Sequence, residues 1–430
     1  MRPSGVLTVL SMALLLSACD GEGKSVEARG PDPKMPEPQR GLLPVIKVAK
    51  PVAWGDQKPA VPDGYSISAI ATDLQIPRQT LVLPNGDILV AEGHGGTEAQ
   101  LKPKDVIASL AKASGTSPVK GGNRLTLLRD ADGDGVYEVK TVFADHLNAP
   151  YGLAYAKGHV YVADQDALLS FDYADGQTQA SGPPRKITDL PSQINHHWTK
   201  SLTISPDGRE LYVGIGSNSN ITERGMEVEI DRARIWQVDA QTGAYKPYAT
   251  GLRNPAGLKV QPGTGQLFAV VNERDELGPD LVPDYLTAVH EGAFYGWPYS
   301  YWGQHVDTRA QPQDPAKVAS ATKPDYSLGS HVAPLGIDFS SPAMGEKYAQ
   351  GAFVGEHGSW NRENPVGYKV VFVPFTDGKP AGDPVDFVTG FRGEDGKTRG
   401  RPVGVTVDPH GALIIADDLS NTVWRVVRKR

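Results

Sequence analysis

Three histidines, three arginines and one asparagine stand at the edges of short apolar runs in this 430-residue chain: His196, His197, His331, Arg253, Arg362, Arg401 and Asn254. Gathered on one concave surface, the guanidinium groups would pair bidentately with a ligand carrying several carboxylates or phosphates. An imidazole beside them would supply a general base. Two plainer readings stand next to these. His196-His197 could be a metal pair or the packed filler of a channel, and an arginine ahead of a strand is commonly a surface or capping residue. The turn Gly278-Pro279 offers backbone carbonyls to a hard cation. A second cation candidate is Asp130-Ala131-Asp132-Gly133-Asp134-Gly135 followed by Glu138, with carboxylates at alternate positions and glycine for the sharp turn. The twelfth position of such a loop would be Thr141, so it is not a complete EF-hand, and an acidic hairpin turn is its alternative.

The elements that must position these residues recur. Six copies of a strand pair open on short cues: Gln75-Ile76-Pro77, Asn148-Ala149-Pro150, His196-His197-Trp198, Arg253-Asn254-Pro255, His331-Val332-Ala333-Pro334 and Arg401-Pro402-Val403. A turn such as Asn85-Gly86, Pro206-Asp207-Gly208 or Pro262-Gly263 follows in most copies, then a second strand such as Ile88–Glu92, Val160–Asp164 or Leu413–Asp417. Most copies add a third and a fourth strand. The fourth copy departs, with about fifty residues rich in Pro, Tyr and Trp after Asp275. A repeat of several tens of residues holding short strands and turns predicts a radial array, here an all-β, six-bladed propeller of four-stranded antiparallel blades. A sandwich or a pair of β domains is the alternative. The sixth copy ends at Thr422–Val427 without an outer strand, and Tyr65–Ala71 is expected to supply it, closing the ring without an open edge. In such a ring, the residues just before every innermost strand share one channel mouth. The loops between second and third strands open on the same face. His196, His197, Arg253, Asn254, His331 and Arg401 are thereby predicted to meet on one rim, with Glu92–Gly96, Asn272–Asp280 and Glu356–Arg362.

The first residues read as targeting. Arg2, the apolar run Val6–Leu16 and the tetrad Leu16-Ser17-Ala18-Cys19 resemble a bacterial lipoprotein signal, with residues 1–18 removed and Cys19 lipidated. A simple secretory signal is the alternative. The apolar run is too short to span a bilayer. Residues 19–63, rich in Pro, Gly and charge, are expected to form a flexible tether, and residues 64–430 the propeller. The expected location is periplasmic, with membrane attachment only through the lipid. Cys19 is the only cysteine, which excludes an intramolecular disulfide and a haem-attachment pair. Formal net charge is −7, and the only basic cluster is the terminal Arg428-Lys429-Arg430, so nucleic acid is not an expected partner.

Several segments together resemble the soluble quinoprotein sugar dehydrogenases, in particular the sorbosone dehydrogenase-like branch. They are His197-Trp198 with Leu202-Thr203-Ile204-Ser205-Pro206-Asp207-Gly208, Gly251-Leu252-Arg253-Asn254-Pro255-Ala256-Gly257-Leu258, Asn272-Glu273-Arg274-Asp275 through Gly278-Pro279, Tyr295-Gly296-Trp297-Pro298, His357-Gly358-Ser359-Trp360-Asn361-Arg362 and Gly400-Arg401-Pro402-Val403-Gly404-Val405. The resemblance spans roughly residues 71–427.

It implies an oxidoreductase that uses pyrroloquinoline quinone (PQQ) and Ca2+, acting on a sugar, a sugar aldehyde or a related polyol. His197 would be the general base, taking the hydroxyl proton as hydride leaves for the quinone. Arg253 and Asn254 would contact the quinone oxygens. Gly278 and Pro279 would hold calcium through their carbonyls. Arg362, Arg401, Trp360 and His331 would complete the cofactor site. Three positions depart from the family pattern: His196 stands where an acid would orient the base, Val403 where a second arginine is expected, and no lysine matches the cofactor-binding one. With no haem pair in the chain, electrons would pass to an external cytochrome or quinone. Two other classes stay open: a calcium-dependent lactonase-like hydrolase, and a non-catalytic propeller lipoprotein that binds a glycan or a protein, for which Tyr299, Tyr301 and Trp302 would serve sugar stacking.

Overall fold

A computed structural model describes residues 28–39, 46–96 and 115–429. The signal segment and Cys19 lie outside the described residues. Six antiparallel blades of four strands each, the fifth with an added two-residue strand Lys379–Pro380, form a six-bladed β-propeller. Their innermost strands, Pro77–Val82, Gly152–Ala156, Lys200–Ile204, Asn254–Val260, Pro334–Phe339 and Pro402–Val407, pack side by side in a closed ring around the channel. The last blade closes as the sequence predicts: Tyr65–Ala71 pairs with Thr422–Arg428, with Tyr65 opposite Arg428 and Ile67 opposite Val426.

Strand alternation explains why the ring is stable. Leu267, Ala269 and Val271 face the third blade, while Phe268 and Val270 of the same strand face the fifth. Each sheet is thus covered on both faces, and one apolar cluster fills every junction between neighbouring blades. The second strands, such as Ile88–Glu92 and Gly351–Glu356, are consequently buried along their whole length.

Close approach of the inner strands depends on a short signal. Pro150-Tyr151-Gly152, Pro255-Ala256-Gly257, Pro334-Leu335-Gly336 and Pro402-Val403-Gly404 each set a glycine against the adjacent inner strand. A side-chain carbon on Gly152 would lie 2.5 Å from the Lys200 carbonyl oxygen, and one on Gly404 would lie 2.5 Å from that of Arg78. In three of these blades the proline opens the strand and a register shift follows it, between Pro255 and Gly257, Pro334 and Gly336, and Pro402 and Val405. Proline lacks the ladder donor, so a bulge there costs no hydrogen bond. Gly404→Ala is expected to cost about 1–3 kcal/mol by overpacking, read as a lower urea midpoint at unchanged slope; a shift below about 0.5 kcal/mol would show that the strands can part without cost.

The fourth blade carries the departure that the sequence predicts and is complete: its third strand is Pro283–Ala288 and its outer strand Tyr326–Ser330, separated by an insertion that holds the small hairpin Ser300–Tyr301/His305–Val306 and the helix Pro315–Ala319. One sequence expectation needs correction. Residues 28–39 and 46–63 are not a loose tether. Ala28 and Ala49 are buried, and Trp54 packs edge-on against Phe391 and Trp424. Main-chain bridges join Gly30 to Ser327, Pro51 to Thr398 and Ala60 to Thr389. Proline content misled here, because a proline-rich extended chain can supply bridge partners as readily as it can remain solvated. Among the described residues, no helix is long and apolar enough to cross a membrane.

Candidate active site

Tyr151 stands in the channel. It is fully buried, and its hydroxyl reaches the Ala256 and Leu335 carbonyls across the ring at 3.1 and 3.0 Å. The Arg78 guanidinium lies 5.4 Å from the Tyr151 ring and 5.3 Å from that of Trp198, and pairs with Asp418. Asp418 also meets His357 Nε2 at 2.9 Å. Burial and the nearby Arg401 charge bring the His357 pKa down to about 4. The channel beyond this floor opens at the far mouth into a cavity of about 540 Å³ lined by residues such as Thr203, Lys259 and Thr406. On the rim side lies a smaller cavity of about 210 Å³.

His196, His197, Arg253, Asn254, His331 and Trp360 line that rim cavity together, with Asn272, Glu273, Asp275, Asp284, Ala333 and Asn361. Topology explains the convergence: His197 precedes the inner strand of blade three, Asn254 opens that of blade four, and Trp360 follows the second strand of blade five.

The tautomer of His197 is set by its neighbour. Its Nδ1 lies 2.7 Å from the Ser217 carbonyl, which can only accept, so Nδ1 carries the proton and Nε2 keeps its lone pair. Burial, then the charges of Arg253 and His196, hold the pKa well below the ordinary histidine value. Ser217 thus orients the His197 ring through its backbone carbonyl. His196 packs edge-on against the His197 ring, 4.7 Å between centroids. Gly216 is required beside it, since a side-chain carbon there would lie 2.5 Å from His197 Cβ.

Arg253 is buried and held from several sides. Its Nη1 donates to the Glu273 carbonyl at 2.7 Å, Nη2 to Asn220 Oδ1 at 3.0 Å, and Nε to the Asn220 carbonyl at 3.2 Å. The Asn220 side-chain amide also donates to the Asp275 carbonyl and accepts from the Asp275 N–H, and the Asn220 carbonyl accepts from the Trp297 indole N–H. This hub was not read from the sequence; it sits in the loop between second and third strands of blade three and carries no motif. Asn254 Oδ1 is buried with no hydrogen-bond partner among the described residues. An acceptor left open in a cavity wall is costly unless a ligand or water meets it.

The opposite wall is acidic. Asp284 accepts from the Glu273 and Ala333 N–H groups, and burial raises its pKa to about 7. Asp275 contacts Arg253, Asn361 and His331. Burial pulls the His331 pKa down, but Asp275 and Asp284 outweigh it and the net shift is upward.

Four expected residues are placed elsewhere. Arg362 does not line the cavity; its guanidinium is bound to Asp280 at 2.9 Å and to the Ser330 carbonyl. Arg401 is likewise outside the lining, donating to the His357 and Gly358 carbonyls and covering the Tyr368 ring. Backbone carbonyls and Asp280 hold these guanidinium groups, partners that the sequence does not reveal. The Gly278 carbonyl accepts from His331 Nε2 at 3.1 Å, and neither Gly278 nor Pro279 lines the cavity. In the other candidate loop, Asp130, Asp132, Asp134 and Glu138 do gather, their ligand atoms within 4.8 Å of one another. Asp130 there accepts from the Gly133, Asp134 and Gly135 N–H groups, as a tight acidic turn does.

The architecture and this basic-and-acidic rim define a six-bladed propeller with a ligand cavity at one channel mouth. A family model described as TrAA12-like matches residues 59–291 and 295–429, and the chain belongs to that family. It is similar to the pyrroloquinoline quinone-dependent sugar dehydrogenase of Hypocrea jecorina, 24% identical over 423 residues that cover 85% of this chain and 88% of that one. It is also similar to the pyrroloquinoline quinone-dependent pyranose dehydrogenase of Coprinopsis cinerea, 25% identical over 362 residues covering 73% of this chain; the match spans only 44% of that enzyme's length. In fold it resembles the calcium structure of the Trichoderma reesei family AA12 carbohydrate-active enzyme, with a TM-score of 0.69, 21% identity, and 86% and 97% of the two chains covered.

Proposed function

We propose that the protein is a quinoprotein oxidoreductase that oxidises a sugar, a sugar aldehyde or a related polyol with PQQ as the oxidant. The observation that carries this is His197, fixed as a neutral base by the Ser217 carbonyl and sharing one cavity with Arg253 and Asn254. The relatives' names support the cofactor and the substrate class.

The donors present suit the quinone end of PQQ. Arg253 is preorganised by Asn220 and the Glu273 carbonyl, and Trp360 supplies an aromatic wall. When bound, PQQ would supply a two-electron acceptor that takes hydride from the substrate carbon. His197 Nε2 takes the hydroxyl proton from that same substrate, so alcohol becomes carbonyl with one proton on the protein. The buried guanidinium opposes negative charge as it grows on the acceptor, without having to reorganise. The Gly278 and Pro279 carbonyls would hold calcium: the Gly278 oxygen accepts from His331 Nε2 and keeps a second lone pair for a cation. The carboxylates of Glu273, Asp275 and Asp284 line the cavity but are already engaged, by Arg274, by Arg253 and Asn361, and by two backbone N–H groups. A lipid anchor at Cys19, a periplasmic location and an external cytochrome or quinone as electron acceptor complete the proposal, resting on the sequence.

The pH profile tests the base. A pKa lowered by burial keeps His197 unprotonated, and so active, through neutral and mildly acidic pH. The acid limb of kcat/KM over a panel of aldoses, aldehydes and polyols is therefore expected clearly below the ordinary histidine value of about 6.5. A limb at or above that value would contradict a buried neutral base.

A further inference from the structure

The N-terminal segment reaches both loops that frame the cavity. Gln39 N–H donates to the Leu277 carbonyl at 2.9 Å, and Lys47 N–H donates to the Trp360 carbonyl at 2.8 Å. Lys47 Nζ also donates to the Glu363 carbonyl at 2.7 Å. Leu277 precedes Gly278, whose carbonyl receives His331, and Trp360 is itself a wall of the cavity. Gly278 has φ +108°, and a side-chain carbon there would lie 2.9 Å from Gln39 Cβ, so the two chains touch without room for more. Nearby, Met35 packs on the core cluster that contains Leu277 and Leu281. Further bridges hold the segment at Ser327, Thr398 and Thr389. The family match begins at residue 59, so Gln39 and Lys47 lie outside the residues that the family model matches.

We infer that Gln39 and Lys47 are positioning residues of the site, holding the blade-four and blade-five loops at the spacing the cofactor needs. This rests on the reading of the cavity as the PQQ site and deepens it: retention of the cofactor depends on a segment outside the matched family region. Each donor fixes one loop carbonyl whose residue is in or next to the cavity wall. Loss of either donor frees that loop to sample spacings that do not bind.

The test uses the full chain. Gln39→Pro and Lys47→Pro each delete one main-chain donor. Val52→Pro deletes a donor of the same kind, to the Thr398 carbonyl at 3.0 Å, in the same segment but at a residue pair that does not line the cavity. Lys47→Ala is the milder companion, keeping the main-chain donor and losing only the Nζ contact. Amide hydrogen exchange of the cofactor-free protein over residues 275–280 and 357–363 is measured first, then the PQQ dissociation constant by titration. For Gln39→Pro and Lys47→Pro, exchange in those loops and the dissociation constant are both expected to rise about three- to tenfold, the range one lost hydrogen bond gives. Lys47→Ala should move both in the same direction by less, and Val52→Pro should move neither, whatever it does to global stability. Equal behaviour of all the proline variants, or a loss of global stability with unchanged loop exchange, would overturn the inference. If the unaltered chain binds no PQQ, the proposed function fails, while loop exchange still decides whether the segment positions these loops.

Discussion

His197→Asn is expected to lower kcat by about 10²–10⁴-fold, the usual worth of a positioned general base, while leaving the fold and PQQ affinity near those of the unaltered chain. Asparagine can keep a donor toward the Ser217 carbonyl but offers no basic nitrogen to the substrate hydroxyl. Single-turnover reduction of bound cofactor measures the chemical step directly. The variant also separates the competing classes. A scaffold that binds glycan or protein would lose little, and a hydrolase would show turnover without any change in the cofactor's redox state. Reduction at an undiminished rate would remove His197 from the mechanism.

The second large effect is on stability. Arg274 is fully buried and binds Glu273 Oε2 at 2.8 Å, the Ser300 carbonyl at 2.6 Å, the Pro298 carbonyl at 3.0 Å and Asp307 Oδ2 at 3.4 Å. Asp307 is shared with Arg309, which in turn donates to the Asp275 carbonyl at 2.9 Å. The blade-four insertion is thus clamped onto the loop that carries Glu273 and Asp275. Arg274→Met fills similar volume but leaves the buried Glu273 carboxylate and two carbonyls without their partner. Breaking a buried pair from one side costs about 3–5 kcal/mol, and that loss is expected in the urea unfolding free energy. Kinetically, the affected loop also supports Arg253, so cofactor affinity should fall with it. A cost below about 1 kcal/mol would mean that water or Arg309 replaces the clamp.

Much of this was legible in the sequence because a repeat converts position into geometry. The cues before each inner strand placed His197, Arg253, Asn254 and His331 on one rim, and the loop after the blade-five second strand brought Trp360 there. The unpaired end at Thr422–Val427 located its partner Tyr65–Ala71 at the far end of the chain. What stayed hidden has physical reasons. Pro283–Ala288 is buried on both faces yet reads as irregular because Pro283 and Asp284 stand at its start, so Asp284 went unseen. Asn220 and Ser217 act through loop geometry and a backbone carbonyl, to which residue type gives no clue. Arg362 and Arg401 had the right type and place along the chain, yet carbonyls and Asp280 claim their guanidinium groups. The N-terminal segment was misassigned because composition reports solvation preference, while its docking depends on edges supplied by blades far away in sequence.

Titration of the purified, cofactor-free protein with PQQ in calcium buffer, followed by absorbance while a sugar panel is added, tests the central claim most directly. Saturable one-to-one binding, weakened by Arg253→Met and followed by substrate-driven reduction that His197→Asn blocks, is the predicted result. Folded protein that shows no saturable PQQ binding would contradict it.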